Sequence, residues 1–197
     1  MRPAILLESI RSQNKALFDN FLDFPKPLFV AVNGPAIGAA VTSAFLSDGI
    51  IASEKATFLT PFKALGVVPE GCSSYTYPKA FGESVARELL EGRKITAKEA
   101  LELGYCKYVV PTNQVLEKAQ QVAEEWVAQG RGRVIIEEGL LETLKEVNAK
   151  ESIALANALL DYPFLDAMVN FSYEKSKYGP LVAFWIARAT RPIWSKL

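Results

Sequence analysis

Glu70 stands between Pro69 and Gly71, directly after the apolar pair Val67-Val68. A carboxylate so placed is partly withdrawn from water, which raises its pKa toward the range useful for taking and returning a proton. The plainer use of a glutamate there is a solvated loop or helix start, where the helix dipole welcomes it. A second pattern is Asn33-Gly34-Pro35-Ala36-Ile37-Gly38-Ala39-Ala40, where glycine-rich backbone opens a run of small residues. The first N–H groups of a helix starting there lack intrahelical partners, and the dipole adds partial positive charge, so such a turn can hold a developing oxyanion. It is also what an ordinary strand-to-helix turn requires. The chain contains no histidine. Ser-His-Asp and Cys-His catalysis are thereby excluded, and two isolated cysteines, Cys72 and Cys106, are a poor basis for a zinc site. An acid-base group must be Asp, Glu, Lys, Tyr or Cys.

The elements that would position these residues are legible from periodicity. Residues 5–24 carry apolar side chains at helical spacing and stop before Pro25. Residues 27–33 form a short apolar run bounded by proline and glycine, the pattern of a strand buried on both faces. A turn over 34–38 then feeds a helix over 39–46. Short strands are expected at 49–52 and 56–59, and a loop over 65–71. Helices are expected at 83–90 and 96–103, the second opened by Thr96 with Glu99 at capping-box spacing. A strand follows at 105–110. Residues 114–160 read as helical with a break near 130–132, and a last helical part covers 164–188. Strands alternating with helices and then helices alone predict an α/β core over residues 1–112 and a helical region over 113–197.

The 197 residues suffice for one well-buried domain. Lysine plus arginine and aspartate plus glutamate are 22 each, so no basic surface marks a nucleic-acid partner. No apolar run approaches the length of a membrane span, and the first residues are too charged for a secretory signal. Both cysteines are expected to be reduced and buried. The chain ends Ser195-Lys196-Leu197, the form of a peroxisomal address read by an import receptor, which predicts delivery to the peroxisomal matrix.

The segment 26–38, Lys-Pro-Leu-Phe-Val-Ala-Val-Asn-Gly-Pro-Ala-Ile-Gly, resembles the signature of the crotonase (enoyl-CoA hydratase/isomerase) superfamily. Residues 47–58 match its next segment. Residues 60–75, which include Pro69-Glu70-Gly71-Cys72-Ser73, are similar to its peroxisomal Δ3,Δ2-enoyl-CoA isomerase branch. The resemblance covers about residues 21–177. It implies a crotonase-like spiral fold, an acyl-CoA thioester as substrate, no separate cofactor, and self-association as trimers or hexamers. Hydratases of this superfamily use two glutamates, at positions where this chain has Thr42 and Phe62; the isomerase branch uses one, which is Glu70 here. The resemblance further implies that Glu70 moves a proton from C2 to C4 of a 3-enoyl thioester, with the Ala39 N–H as one of two oxyanion donors. Gly34, Ile37, Gly38, Phe62, Leu65 and Pro69 are then expected to contact substrate.

In this family a strand-rich segment precedes the helix that ends at residue 24, supplies the second oxyanion donor and helps to bind CoA. Residues 1–24 do not resemble it, so the chain is read as N-terminally truncated. The competing function is a non-catalytic crotonase-like module for binding or assembly. At the other end, residues 178–197 extend beyond where relatives finish and carry Phe184, Trp185, Ile186 and Trp194 among Arg188, Arg191 and Lys196. They are expected to form a helix packed on the domain or on an oligomer neighbour, the other option being a surface helix that meets lipid or a partner.

Overall fold

The computed structural model describes residues 3–194. Helix α1 (Pro3–Asp23) leads into β1 (Phe29–Val32), β2 (Pro35–Ile37) and the short α2 (Ala39–Ala44). Strands β3 (Gly49–Ser53) and β4 (Thr57–Leu59) precede α3 (Ser73–Phe81) and α4 (Glu83–Leu90). Then come β5 (Ile95–Thr96), α5 (Ala97–Glu102), β6 (Tyr108–Val110) and a 3-10 turn at Thr112–Gln114. The remainder is helical: α6 (Val115–Ala128), α7 (Val134–Glu137), α8 (Leu141–Leu159), α9 (Tyr162–Glu174) and α10 (Tyr178–Trp194).

The strands form two small sheets, ordered β1-β3-β6 and β2-β4-β5. The first is parallel throughout, with Phe29 opposite Gly49 and Ile51 opposite Tyr108. All five residues of β3 are buried, so this central strand reads as a continuous apolar run without alternation. In the second sheet β2 runs parallel to β4, and β4 antiparallel to β5.

One core gathers Val41, Ile50, Phe58, Tyr77 and Tyr105 between the sheets and α2 to α5. Phe45 stacks on Tyr105 at 5.3 Å between ring centroids. A second core joins Phe18 and Leu22 of α1 to Leu46, Cys72, Ile135 and Leu144, so α8 folds back along α1. Arg133 ties these parts together. It is buried, donates to the carbonyls of Phe21 (2.8 Å), Phe24 (2.9 Å) and Leu46 (2.6 Å), and pairs with Asp48 at 3.0 Å. Asp48 in turn accepts from the Leu28 and Val134 amides.

Several elements depart from the sequence expectation. Helix α3 was not foreseen, because Ser-Ser-Tyr-Thr-Tyr-Pro is a poor helical sequence. Its order comes from burial of Tyr77 among aromatic rings and from a carboxylate at its first turn, described below. Residues 35–37 form a strand rather than only a turn, since β4 offers a parallel partner. Strand β6 begins at Tyr108, not at 105: Gly104 adopts φ +74°, and the amides of Gly104 and Tyr105 return to Leu101 and Ala100 in a Schellman closure of α5. The expected capping box is present, with Glu99 N donating to Thr96 Oγ1 and Thr96 N to Glu99 Oε2. The last helical part is two helices, α9 and α10, divided near Ser176 at φ +51°. Both cysteines are free and buried.

Helix α10 packs on α9, with Phe184 edge-on to Phe164 at 6.1 Å, and Arg188 and Arg191 are ion-paired to Asp166 and Asp161. Its outward side leaves Tyr178, Val182, Trp185 and Ile193 exposed. Among the described residues no single helix is long and apolar enough to cross a membrane. Ser195, Lys196 and Leu197 lie outside the described residues.

Candidate active site

A cavity of about 550 Å³ opens between α1, the β2–α2 turn, the loop after β4, and the α8–α9 corner. Ile10 and Leu17 of α1 line one side, Phe62 and Leu65 another, and Leu155, Leu159 and Phe164 a third. Ile37 and Gly38 complete it. Glu70 stands in this apolar wall and accepts a 2.8 Å hydrogen bond at Oε2 from Asn14 Nδ2. Burial holds the Glu70 carboxyl above the usual carboxylate range, the Asn14 bond opposes that rise, and the nearby Glu151 charge adds to it.

The local backbone explains how Glu70 reaches the wall. Gly71 and then Cys72 take left-handed conformations, at φ +65° and +62°. A Cβ at Gly71 would sit 2.6 Å from the Phe18 ring and 2.7 Å from Thr42 Oγ1, so only glycine fits. Ser73 then closes the turn, donating its Oγ to the Glu70 carbonyl at 2.7 Å. Gly66, at φ +64°, lets the preceding loop lie against α9, since a Cβ there would meet Pro163 at 2.6 Å.

Asn14 is itself oriented. Its Oδ1 accepts from Ser152 Oγ at 3.0 Å, which directs Nδ2 to Glu70. Ser152 also reaches Asn148, whose amide donates to the Lys15 carbonyl and to Asp19. The sequence reading missed Asn14, Asn148, Glu151 and Ser152. Their signal was present: Asn14 shares a helical stripe with Ile10, Leu17 and Phe21, and 148, 151 and 152 share one with Leu144 and Leu155. A polar residue on an apolar stripe has to find a partner inside the protein.

Of the expected site residues, the structure brings Ile37, Gly38, Phe62, Leu65 and Glu70 together around the cavity. Ala39 is the first residue of α2, next to Gly38 at φ +61°. The Val41 and Thr42 amides use the Gly38 carbonyl, and the Ala39 amide stands ahead of them with no intrahelical acceptor. Pro69 lies instead on an adjoining hollow shared with Phe62 and Val67. Gly34 sits in the bend between β1 and β2 with nothing within 4 Å of a built Cβ, and it is not on the cavity wall. Thr42 is buried and packs against Gly71. Among the described residues no three His, Cys, Asp or Glu side chains converge as a metal site.

The sequence profile of the enoyl-CoA hydratase/isomerase family matches residues 5–175. The chain belongs to that family. Among relatives, human "Enoyl-CoA delta isomerase 2" is 40% identical over 80% of this chain and 41% of its own length. "Enoyl-CoA delta isomerase 3, peroxisomal" of mouse is 37% identical over 80% of this chain and 51% of its own. Human "Chromodomain Y-like protein 2" is 36% identical over 87% of this chain and 34% of its own. The crystal structure of enoyl-CoA hydratase/isomerase from Pseudoalteromonas atlantica superposes with a TM-score of 0.68 at 32% identity, covering 76% of this chain and 62% of that one. This member of the enoyl-CoA hydratase/isomerase family thus has the crotonase-like α/β fold with a helical C-terminal region. It spans about half, or less, of the curated relatives it matches.

Proposed function

We propose that the chain serves as an isomerase that converts 3-enoyl-CoA to 2-enoyl-CoA, using Glu70 alone as acid and base. The observation that carries this reading is a half-buried carboxylate, the one acidic side chain among the described residues on the wall of a mostly apolar cavity, with an amide donor on one of its oxygens. Asn14 engages Oε2, so Oε1 is assigned the proton. In the 3-enoyl thioester the C2 protons are acidic, lying between a carbonyl and an alkene. Glu70 takes one of them, the electron pair spreads through the dienolate, and the negative charge rests on the thioester oxygen. The Ala39 N–H is the donor assigned to that oxygen. Glu70 then returns the proton at C4, leaving the double bond between C2 and C3. No net proton, electron or water is consumed, so one carboxylate suffices. Its raised pKa matches this double duty.

Conversion of 3-enoyl-CoA by the chain and by Glu70→Ala is the test. Loss of turnover in the variant is expected, and equal rates would overturn the assignment. Hydration of 2-enoyl-CoA is expected to be absent, because Thr42 and Phe62 carry no carboxylate where a second acid-base would stand. The Ser195-Lys196-Leu197 ending supports delivery to the peroxisomal matrix and a place in fatty-acid β-oxidation, as does the peroxisomal isomerase among the relatives. A fluorescent fusion that keeps this ending should be punctate and lose that pattern when Leu197 is removed.

A second reading is a binding or assembly module without turnover, supported by the match over 87% of this chain to a relative named as a chromodomain protein rather than as an enzyme. Acyl-CoA binding that persists in Glu70→Ala, with no turnover in either protein, would select it. Self-association, as trimer or hexamer, is measurable by light scattering under either reading.

A further inference from the structure

Two buried carboxylates lie outside the chemistry proposed above, Asp48 and Glu151. Asp48 is neutralised by Arg133. Among the described residues Glu151 enters no ion pair. A carboxylate is not kept in the interior without compensation, and the compensation here comes from backbone. Glu151 Oε2 accepts the Cys72 amide at 2.6 Å, and Oε1 accepts the Ser74 amide at 2.9 Å.

We propose that Glu151 is a positioning residue for Glu70: its carboxylate clamps the first turn of α3 and so holds the left-handed pair Gly71-Cys72 that turns Glu70 into the cavity. This rests on the reading of Glu70 as the acid-base. Gly71 takes its φ of +65° without cost, but Cys72 at φ +62° does not, because its Cβ crowds the backbone there. Such a residue persists only where its surroundings over-determine it. Helix α8 supplies that twice. Glu151 holds the Cys72 amide, and the Leu144 carbonyl accepts the Cys72 Sγ–H at 3.3 Å. The amides bound by Glu151 belong to the start of α3, which has no side-chain cap from its own N-cap residue and whose dipole favours an anion. The opposite end of the turn is closed by Ser73, through its N–H (3.3 Å) and Oγ to the Glu70 carbonyl. The turn that follows Glu70 is therefore anchored twice, and one of the two anchors is remote in sequence.

The groups around this turn bear on its charge. Glu151 faces it from α8. From α1 come Asn14 on Glu70, and Asp19, which acts on the Cys72 thiol and is itself paired to Lys15. The thiol is pushed up to about 12, first by burial and then by Glu151, so it stays protonated. The Glu151 charge also lifts the Glu70 carboxyl.

The test is Glu151→Gln. A glutamine oxygen can keep one of the two amides and cannot keep both, and the negative charge is gone. With 3-enoyl-CoA as substrate, kcat is expected to fall roughly 10- to 100-fold, the scale of an ångström-sized misplacement of the reacting group. The acid limb of the kcat/KM profile is expected to move to lower pH. A wild-type kcat with an unmoved limb would overturn the proposal, as would a lower melting temperature with no kinetic change. Should that variant fail to fold, Glu151→Asp keeps the charge and shortens the clamp. Its kcat should fall while the acid limb stays in place, and a wild-type kcat would count against the clamp. If the wild-type chain does not turn over 3-enoyl-CoA at all, the isomerase reading fails by itself. The clamp is then read by amide hydrogen exchange at Cys72 and Ser74, which should quicken in Glu151→Gln; unchanged protection would overturn it.

Discussion

At the scale of single residues the site opposes stability to reactivity. Burial raises the Glu70 pKa, so the folded state holds that proton more tightly than the unfolded chain does. The stability this contributes is present below the ordinary carboxylate range and is lost as pH rises through the raised value. Glu70→Gln mimics the neutral form and keeps an acceptor for Asn14. It should be more stable than wild type at pH 7 by on the order of 0.5–2 kcal/mol, with the gain fading below about pH 4. Denaturant melts at the two pH values measure this. Asn14→Ala acts in the opposite sense on the titration. Removing the donor that lowers the Glu70 pKa should move the acid limb of kcat/KM to higher pH. It also leaves a buried acceptor unpaired, at about 1–3 kcal/mol.

At the scale of elements, α1 and α8 are the arms that bring Asn14 and Glu151 to one turn. Arg133 holds the C-terminal end of α1 to the rest of the fold by binding the Phe21 carbonyl and the Phe24 carbonyl just beyond it, and its side chain and that of Asp48 are both 0% exposed. Arg133→Met would leave Asp48 charged and unpaired in the core, a loss of about 3–5 kcal/mol of unfolding free energy by urea titration. Exposed pairs such as Arg93–Glu88 should by comparison contribute less than about 1 kcal/mol. The capping box of α5 and the end of α1 before Pro25 were legible because their causes are local. Helix α3 was not, since its residues disfavour helix and its stabilising groups come from α8 and from the aromatic core. Residues 35–37 likewise became a strand only because β4 passes beside them.

At the scale of the molecule, the C-terminal helices act on the cavity through packing. Phe164 lines it, and Phe184 of α10 backs Phe164 edge-on. Phe184→Ala should raise KM for the acyl-CoA with little change in kcat, because it loosens a wall and leaves Glu70 in place. Phe184 is only partly buried, so the stability cost should be about 1–2 kcal/mol rather than the ~3–5 of a fully buried phenylalanine.

The amino-acid sequence by itself pointed to Glu70 as the candidate acid-base group and to the turn that carries it. With no histidine, an acid-base group had to be Asp, Glu, Lys, Tyr or Cys, and the resemblance to the family singled out Glu70 among them, in a turn marked by Pro69 and Gly71. It also determined the fold class, through apolar runs whose lengths and spacing are local properties of the chain. The tertiary structure alone decided what surrounds Glu70. Asn14 lies 56 positions away from it, and Glu151 binds an amide 79 positions away. A hydrogen bond between residues so far apart depends on how α1 and α8 pack, and no pattern within either helix specifies that. The same packing placed Pro69 on the adjoining hollow with Phe62 and Val67 while its neighbour Glu70 enters the cavity.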